Sequence, residues 1–375
     1  MTEASRNEPV LRVLVVDDSA YNRQTITSML ESRPGVRVVG RAVNGKEALK
    51  LVFDLDPDAI TLDLEMPEMD GFSFLRLLMS KRPTPVIVIS GYSQRDNVFR
   101  ALELGALDFI AKPGRHISPD IREIADDLAG KVAMVRRLSS VRLKARAEEL
   151  ARSRPAGGRT GEHPRASQPA AAPLPDSPTQ RLIAIGASTG GPPAIQQLLI
   201  GLGADFDAAV MIAQHMPARF TRAFANRLDR VIPLRVVEAT DGMPLSCGVV
   251  YVAPGESNLG VRIDQGRAVT SVEEARNDDT APVITPSADH LFSSAAAAFG
   301  ADVCAAILTG MGSDGTRGAA DIKRVGGKLL VEDPNTAVMP GMPHSAVESG
   351  LVDEVRSLEQ LAAYMRTFVG HEPSA

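Results

Sequence analysis

Short apolar runs alternate with helix-patterned segments along residues 11–130, and that alternation leaves few architectures open. LRVLVV, VRVVG, AITL, PVIVIS and DFIA read as strands. Tyr21–Ser32, Gly45–Phe53, Phe72–Ser80, Asn97–Leu104 and a segment from about Pro119 carry apolar residues at helical spacing between and after them. Strands separated by helices cannot form hairpins with one another, so the expected outcome is a parallel sheet covered on both faces.

Five strands and five helices in this order fit the flavodoxin-like arrangement. The pattern then breaks. Residues 151–179 hold six Pro, three Gly, six Ala and four Arg, with Leu174 the sole large aliphatic residue, too little apolar surface to order a chain. We expect a flexible linker with a reach on the order of 30 Å, preceded by a basic helical extension. After it the βα pattern resumes with RLIAI, AAVMIA, VCAAIL and KLLVE, and GVVYVAP with LGVRIDQGRAVTSV reads as a hairpin insertion turning at Asp264-Gln265-Gly266. The expected organisation is an α/β domain over 10–130, extension and linker over 131–179, and a second, mainly parallel doubly wound α/β domain over 180–370.

Lys and Arg number 41 against 46 Asp and Glu, and aromatic residues make up 4% of the chain, so neither bulk positive charge nor a stacking platform points to nucleic acid. MTEASRNEPV lacks the basic start and apolar stretch of a signal peptide, and no apolar run approaches the ~18 residues that cross a bilayer. A cytoplasmic protein with no direct membrane insertion is expected. Cys247 and Cys304 lie far apart without metal-ligand spacing and are expected as reduced core residues.

In open α/β sheets, ligands bind beyond the carboxyl ends of the strands. Asp17 and Asp18 follow LRVLVV, Asp63 follows AITL, Ser90 closes PVIVIS, and Lys112 follows DFIA. Carboxylates gathered at one edge repel unless a hard cation sits among them, and Mg²⁺ favours such a sparse oxygen set. Singly, each residue reads as a helix cap or a solvated loop charge. Jointly, with LDLEMPEMDG, Phe109 and Lys112-Pro113, they resemble the receiver domain of two-component response regulators. The resemblance implies that Asp63 accepts phosphate from a histidine kinase. It also implies that Asp18, Asp63 and the Glu65 carbonyl contact Mg²⁺, that Asp17 acts through water, that Ser90 and Lys112 support the phosphoryl group and that Phe109 is the switch aromatic.

In the second half, RLIAI-GASTGG-PPAIQQLL is a strand, a glycine-rich corner and a helix opening with two prolines, with Ser188 at the apex in G-x-S-x-G spacing. A nucleotide phosphate is the alternative guest for such a corner, disfavoured by the lack of a P-loop lysine. A nucleophilic serine needs a base and an orienting acid. His116 lies in the first half, His163 in the linker and His371 in the tail, leaving His215 after AAVMIAQ, His290 on a helical segment and His344 in a Pro-rich loop. Asp314 follows VCAAIL, so Ser188, His215 and Asp314 share one sheet edge, with Met311 or Gly312 N–H as oxyanion candidates. A lipase-like order would instead pair His344 with Asp314.

GASTGG, QHMP followed by Phe220-Thr221, and TGMGSDG resemble the three signature segments of the chemotaxis protein-glutamate methylesterase family, CheB, and the receiver and linker match its layout. Ser313 stands where that family commonly has Asn. The resemblance implies a phosphorylation-activated hydrolase that removes methyl groups from glutamate γ-methyl esters of methyl-accepting chemoreceptors and deamidates receptor glutamines, with no cofactor for the esterase. A response regulator whose second half merely binds DNA or a partner is the competing class, and it would not react with a serine-directed fluorophosphonate.

Overall fold

The computed structural model describes residues 10–91, 95–112, 121–135, 174–274 and 285–370. The helical extension beyond residue 135, residues 151–173 of the expected linker, Pro113, His116, His163 and His371 lie outside the described residues. The chain divides into two compact units, on either side of residues 156 and 157. Among the described residues no helix is long and apolar enough to cross a membrane.

The first unit runs β1 (Leu11–Val16), α1 (Ala20–Glu31), β2 (Val36–Ala42), α2 (Gly45–Leu55), β3 (Ala59–Leu62), α3 (Gly71–Lys81), β4 (Val86–Ser90), α4 (Arg95–Glu103), β5 (Asp108–Ala111) and α5 (Ile121–Met134). Its sheet has the order β2-β1-β3-β4-β5, parallel throughout, as the alternation requires. Every residue of β3 and β4 is buried, because helices cover both faces; that is why these strands read as unbroken apolar runs. Val16 pairs with Leu62 and Ser90 with Ala111, so the residues that follow β1, β3 and β5 gather at one edge. Helices start where polar side chains cap them: Ser19 accepts from Asn22 N, Asn44 from Glu47 N and Asp70 from Ser73 N.

The second unit runs β6 (Leu182–Ala187), α6 (Gly191–Leu202), β7 (Ala209–Gln214), α7 (Ala218–Val231), β8 (Arg235–Glu238), β9 (Val249–Val252), β10 (Ser257–Asp264), β11 (Arg267–Glu274), α8 (Ala288–Phe299), β12 (Val303–Ile307), α9 (Thr316–Arg324), β13 (Lys328–Glu332), α10 (Gly341–Glu348), β14 (Glu354–Arg356) and α11 (Leu358–Phe368). Seven parallel strands form one sheet in the order β14-β13-β12-β6-β7-β9-β8. The hairpin is β10–β11 alone, turning through Gln265 and Gly266 at φ 48° and 78°, the left-handed pair that matches strand twist. GVVYVAP, expected in that hairpin, instead supplies β9, whose all-apolar VVYV is buried between β7 and β8.

Residues 174–179 also depart from expectation. They lie on the second unit: Pro178 bridges Ser246, Cys247 N–H donates to Ser177 O at 2.9 Å, and Leu174 packs against the core. The lone aliphatic residue of the linker composition is thus the one that anchors its end. Cys304 is a free, buried thiol in β12, whereas Cys247 is free and half-buried. His344 sits on α10 and not in a loop, since Pro343 falls in the helix's first turn, where a missing N–H costs nothing.

Candidate active site

β12, β6 and β7 are neighbours, with Ile307 paired to Gly186 and Ala187 to Gln214, so three chain segments leave the sheet side by side. Ser188 follows β6, and its N–H donates to Thr309 O at 3.0 Å; His215 follows β7, and its N–H donates to Ala187 O at 3.0 Å. The turn closes through Gly190 at φ 78° and a Gly191 N–H bond to Ser188 O of 2.8 Å. A side chain at position 310 would come within 2.8 Å of Ser188 Cβ and 2.2 Å of Met342 Sδ, so the TGMG loop reaches the serine only because it is glycine there.

His215 Nε2 lies 2.7 Å from Asp314 Oδ2. The carboxylate also accepts from Ser287 Oγ (2.9 Å), Ala288 N (2.7 Å), Asp289 N (3.0 Å) and Gly315 N (3.0 Å). Burial acts to raise this carboxyl, but the His215 ring and the first amides of α8 outweigh it and lower its pKa to about 2. An ionised carboxylate only accepts, so Nε2 carries the hydrogen and Nδ1 keeps the lone pair of the neutral ring. That leaves Nδ1 as the nitrogen available to a serine hydroxyl. His344 instead stands 3.6 Å from Glu348 on α10, and the histidine that meets Asp314 is His215.

Met311 is exposed and Gly312 turns at φ 83°, while Gly310 N–H is taken by Met339 O at 3.0 Å. The sequence did not signal Ser287, the α8 amides or Glu332. Glu332, 2% exposed at the end of β13, accepts from Thr309 N at 2.7 Å and so anchors the residue whose carbonyl holds Ser188 N. Nothing in the sequence marks an N-cap whose partner lies in a distant loop; only the S-x-D-H opening of α8 was available as a signal.

In the first unit, Asp17, Asp18 and Asp63 present carboxylate oxygens within 4.8 Å of one another. Lys112 Nζ lies 2.6 Å from Asp63 and 3.0 Å from Asp17. Burial raises the Asp63 carboxyl above its ordinary range despite Lys112, and Asp17 adds to the rise. Burial opposes the Lys112 charge too, yet the two carboxylates hold that ammonium above the usual lysine value. The all-oxygen donor set and the crowding of negative charge fit a hard divalent cation. Glu65 N–H points to Asp63 Oδ1 at 3.4 Å, Ser90 is buried at the end of β4, and Phe109 packs edge-on against Phe99 with ring centroids 6.3 Å apart. A cavity of about 470 Å³ opens beside the acids, lined by Asp18, Glu65, Met66, Phe72 and Asn97.

Residues 183–365 match the family described as CheB methylesterase, and residues 13–118 match the response regulator receiver domain. The protein-glutamate methylesterase/protein-glutamine glutaminase 3 of Geobacter sulfurreducens is 45% identical over 94% of this chain and 95% of its own. The corresponding protein 1 of Myxococcus xanthus is 44% identical over 92% and 93%. Among solved structures, the Thermotoga maritima CheB methylesterase catalytic domain is 36% identical, covering 49% of this chain and 96% of that one with a TM-score of 0.47.

Proposed function

This chain belongs to the CheB family of protein-glutamate methylesterases and protein-glutamine glutaminases, and on that premise we propose that Ser188, His215 and Asp314 hydrolyse glutamate γ-methyl esters of methyl-accepting chemoreceptors. His215 Nδ1 takes the Ser188 proton as Oγ attacks the ester carbonyl. The tetrahedral oxyanion is received by backbone N–H groups, for which Met311 and Gly312 are the candidates. Methoxide departs with the proton from the imidazolium as methanol, and water, deprotonated in turn by His215, releases the glutamate and restores Ser188. With a glutamine the same steps expel ammonia, which is the deamidase activity. The ionised Asp314 stabilises the imidazolium and orients the ring; base assistance of this kind contributes about 10²–10⁴-fold.

Asp63 is the acceptor of a phosphoryl group from a chemotaxis histidine kinase, and the adjoining cavity gives the donor room. Mg²⁺ held by Asp18, Asp63 and the Glu65 carbonyl, with Asp17 acting through water, would neutralise the charge that repels an incoming phosphoryl group. Lys112 and the Ser90 hydroxyl then hold the phosphoryl oxygens, and Phe109 carries the change outward. The protein works in the cytoplasm, where receptor tails and kinase meet.

The 2.7 Å pair between His215 and Asp314, one strand over from the serine turn, is the observation that supports this reading most directly. Methanol release from methylated chemoreceptor membranes tests it. Ser188→Ala and His215→Ala should each abolish release while Asp63 is still phosphorylated. Wild-type turnover in His215→Ala, with His344→Ala inactive, would overturn the assignment.

A further inference from the structure

Gln214, the last residue of β7, is 2% exposed. Its Nε2 donates twice, to Ser188 O at 2.9 Å and to His215 O at 3.0 Å. Both neighbours are carbonyl oxygens, so the orientation of the amide follows from its surroundings. Ser188 O already receives Gly191 N–H, so satisfying that oxygen is not what the side chain is needed for. Its own Oε1 is buried with no hydrogen-bond partner among the described residues, a cost that comes with burying the amide. A Cβ at Gly191 would fall 1.9 Å from that oxygen, so the glycine is required by the glutamine.

We infer that Gln214 is a positioning residue for the ester hydrolysis: one amide ties the main chain of Ser188 to that of His215 and sets the distance between the hydroxyl and Nδ1. The inference rests on the reading of Ser188 as nucleophile and His215 as base. The ladder bond from His215 N–H to Ala187 O joins the two segments before the serine, and among the described residues the Gln214 amide is the group that bonds the carbonyl oxygens of both reactive residues. A proton transfer between them is sensitive to fractions of an ångström, and a misplacement of about 1 Å costs on the order of 10²-fold.

Three variants of the full chain test this, assayed by methanol release from methylated chemoreceptor membranes beside Ser188→Ala. Gln214→Met keeps the length and removes both donors; kcat should fall about 10–10²-fold with KM held within about twofold. Gln214→Glu sets carboxylate oxygens against two carbonyl oxygens. Burial raises such a carboxyl, so acidification returns one O–H donor. Its kcat relative to wild type should therefore climb as the pH falls, whereas a purely structural defect would leave that ratio flat. Gly191→Ala improves helix propensity and disturbs Gln214 from the other side, so it carries the test if Gln214→Met does not fold; its kcat should fall with KM unchanged. Turnover within about twofold of wild type in Gln214→Met or Gly191→Ala, with Ser188→Ala inactive, overturns the inference alone. Activity in Ser188→Ala overturns the reading beneath it.

Discussion

Asp314 collects donors from one hydroxyl, three main-chain N–H groups and an imidazole, and a carboxylate so placed does two jobs. It keeps the histidine in one tautomer, and it links folding to pH. Its folded pKa of about 2 lies below the ordinary 3.8, so its contribution to stability is present above that ordinary value and is lost as the pH falls through 2. The amount is about 2 kcal/mol. Urea unfolding of the second unit at pH 4.5 and pH 2 should show a smaller acid loss in Asp314→Asn than in wild type; equal losses would place the acid sensitivity elsewhere. The same variant turns an N–H₂ group on either α8 or the imidazole, and methanol release should fall about 10²-fold or more. Ser188, His215 and Asp314 were legible because each follows an apolar run. Ser287 and Glu332 were not, because hydrogen bonds between residues distant in sequence leave no periodic trace.

At the scale of elements, the acid depends on where α8 lies. The helix packs on β6 through Gly186, where an added Cβ would meet Ala288 Cβ at 2.5 Å, and on α9 through Gly318, where it would meet Asp289 O at 2.6 Å. Its own Leu291, Phe292 and Ala295 are fully buried, and each large apolar side chain so buried contributes about 1.5–3 kcal/mol. Gly186→Ala should push the start of α8 off the sheet and withdraw its amides from Asp314. We expect a loss of about 1–3 kcal/mol in stability and a larger proportional loss of turnover, read by thermal unfolding and methanol release; an active, destabilised variant would show that Asp314 is held without α8. Strands buried on both faces could be read from the sequence, whereas β8 (RVVE) and β14 (EVR) could not. These edge strands are short and end in charges, which is how exposed edges avoid pairing with other chains. β9 lies in the large sheet and not in the hairpin; a four-residue apolar run does not reveal which strands flank it.

The whole chain carries two chemistries in two units, and each should survive damage to the other. Asp63→Asn should take up no phosphate and show no phosphodonor-dependent rise in methanol release, while basal release persists; wild-type incorporation at another residue would refute the acceptor. The docking of 174–179 sets where the second unit can be cut. A fragment starting at residue 174 should melt higher than one starting at residue 181, which lacks the Thr179 Oγ1 bond to Ala209 N, the Pro178 bridge and the Leu174 contact. Sheet order has a consequence during synthesis as well. β6, the middle strand, waits for β12, and Thr309 Oγ1 finds Thr189 O across 120 residues of chain. A ribosome therefore exposes a nascent domain that already holds its serine and histidine but has no acid, and one bare edge of β6 until translation has passed residue 307. Hydrolysis that uses Asp314 as proposed cannot begin before the chain is nearly complete, and chaperones have that unpaired edge to shield in the meantime.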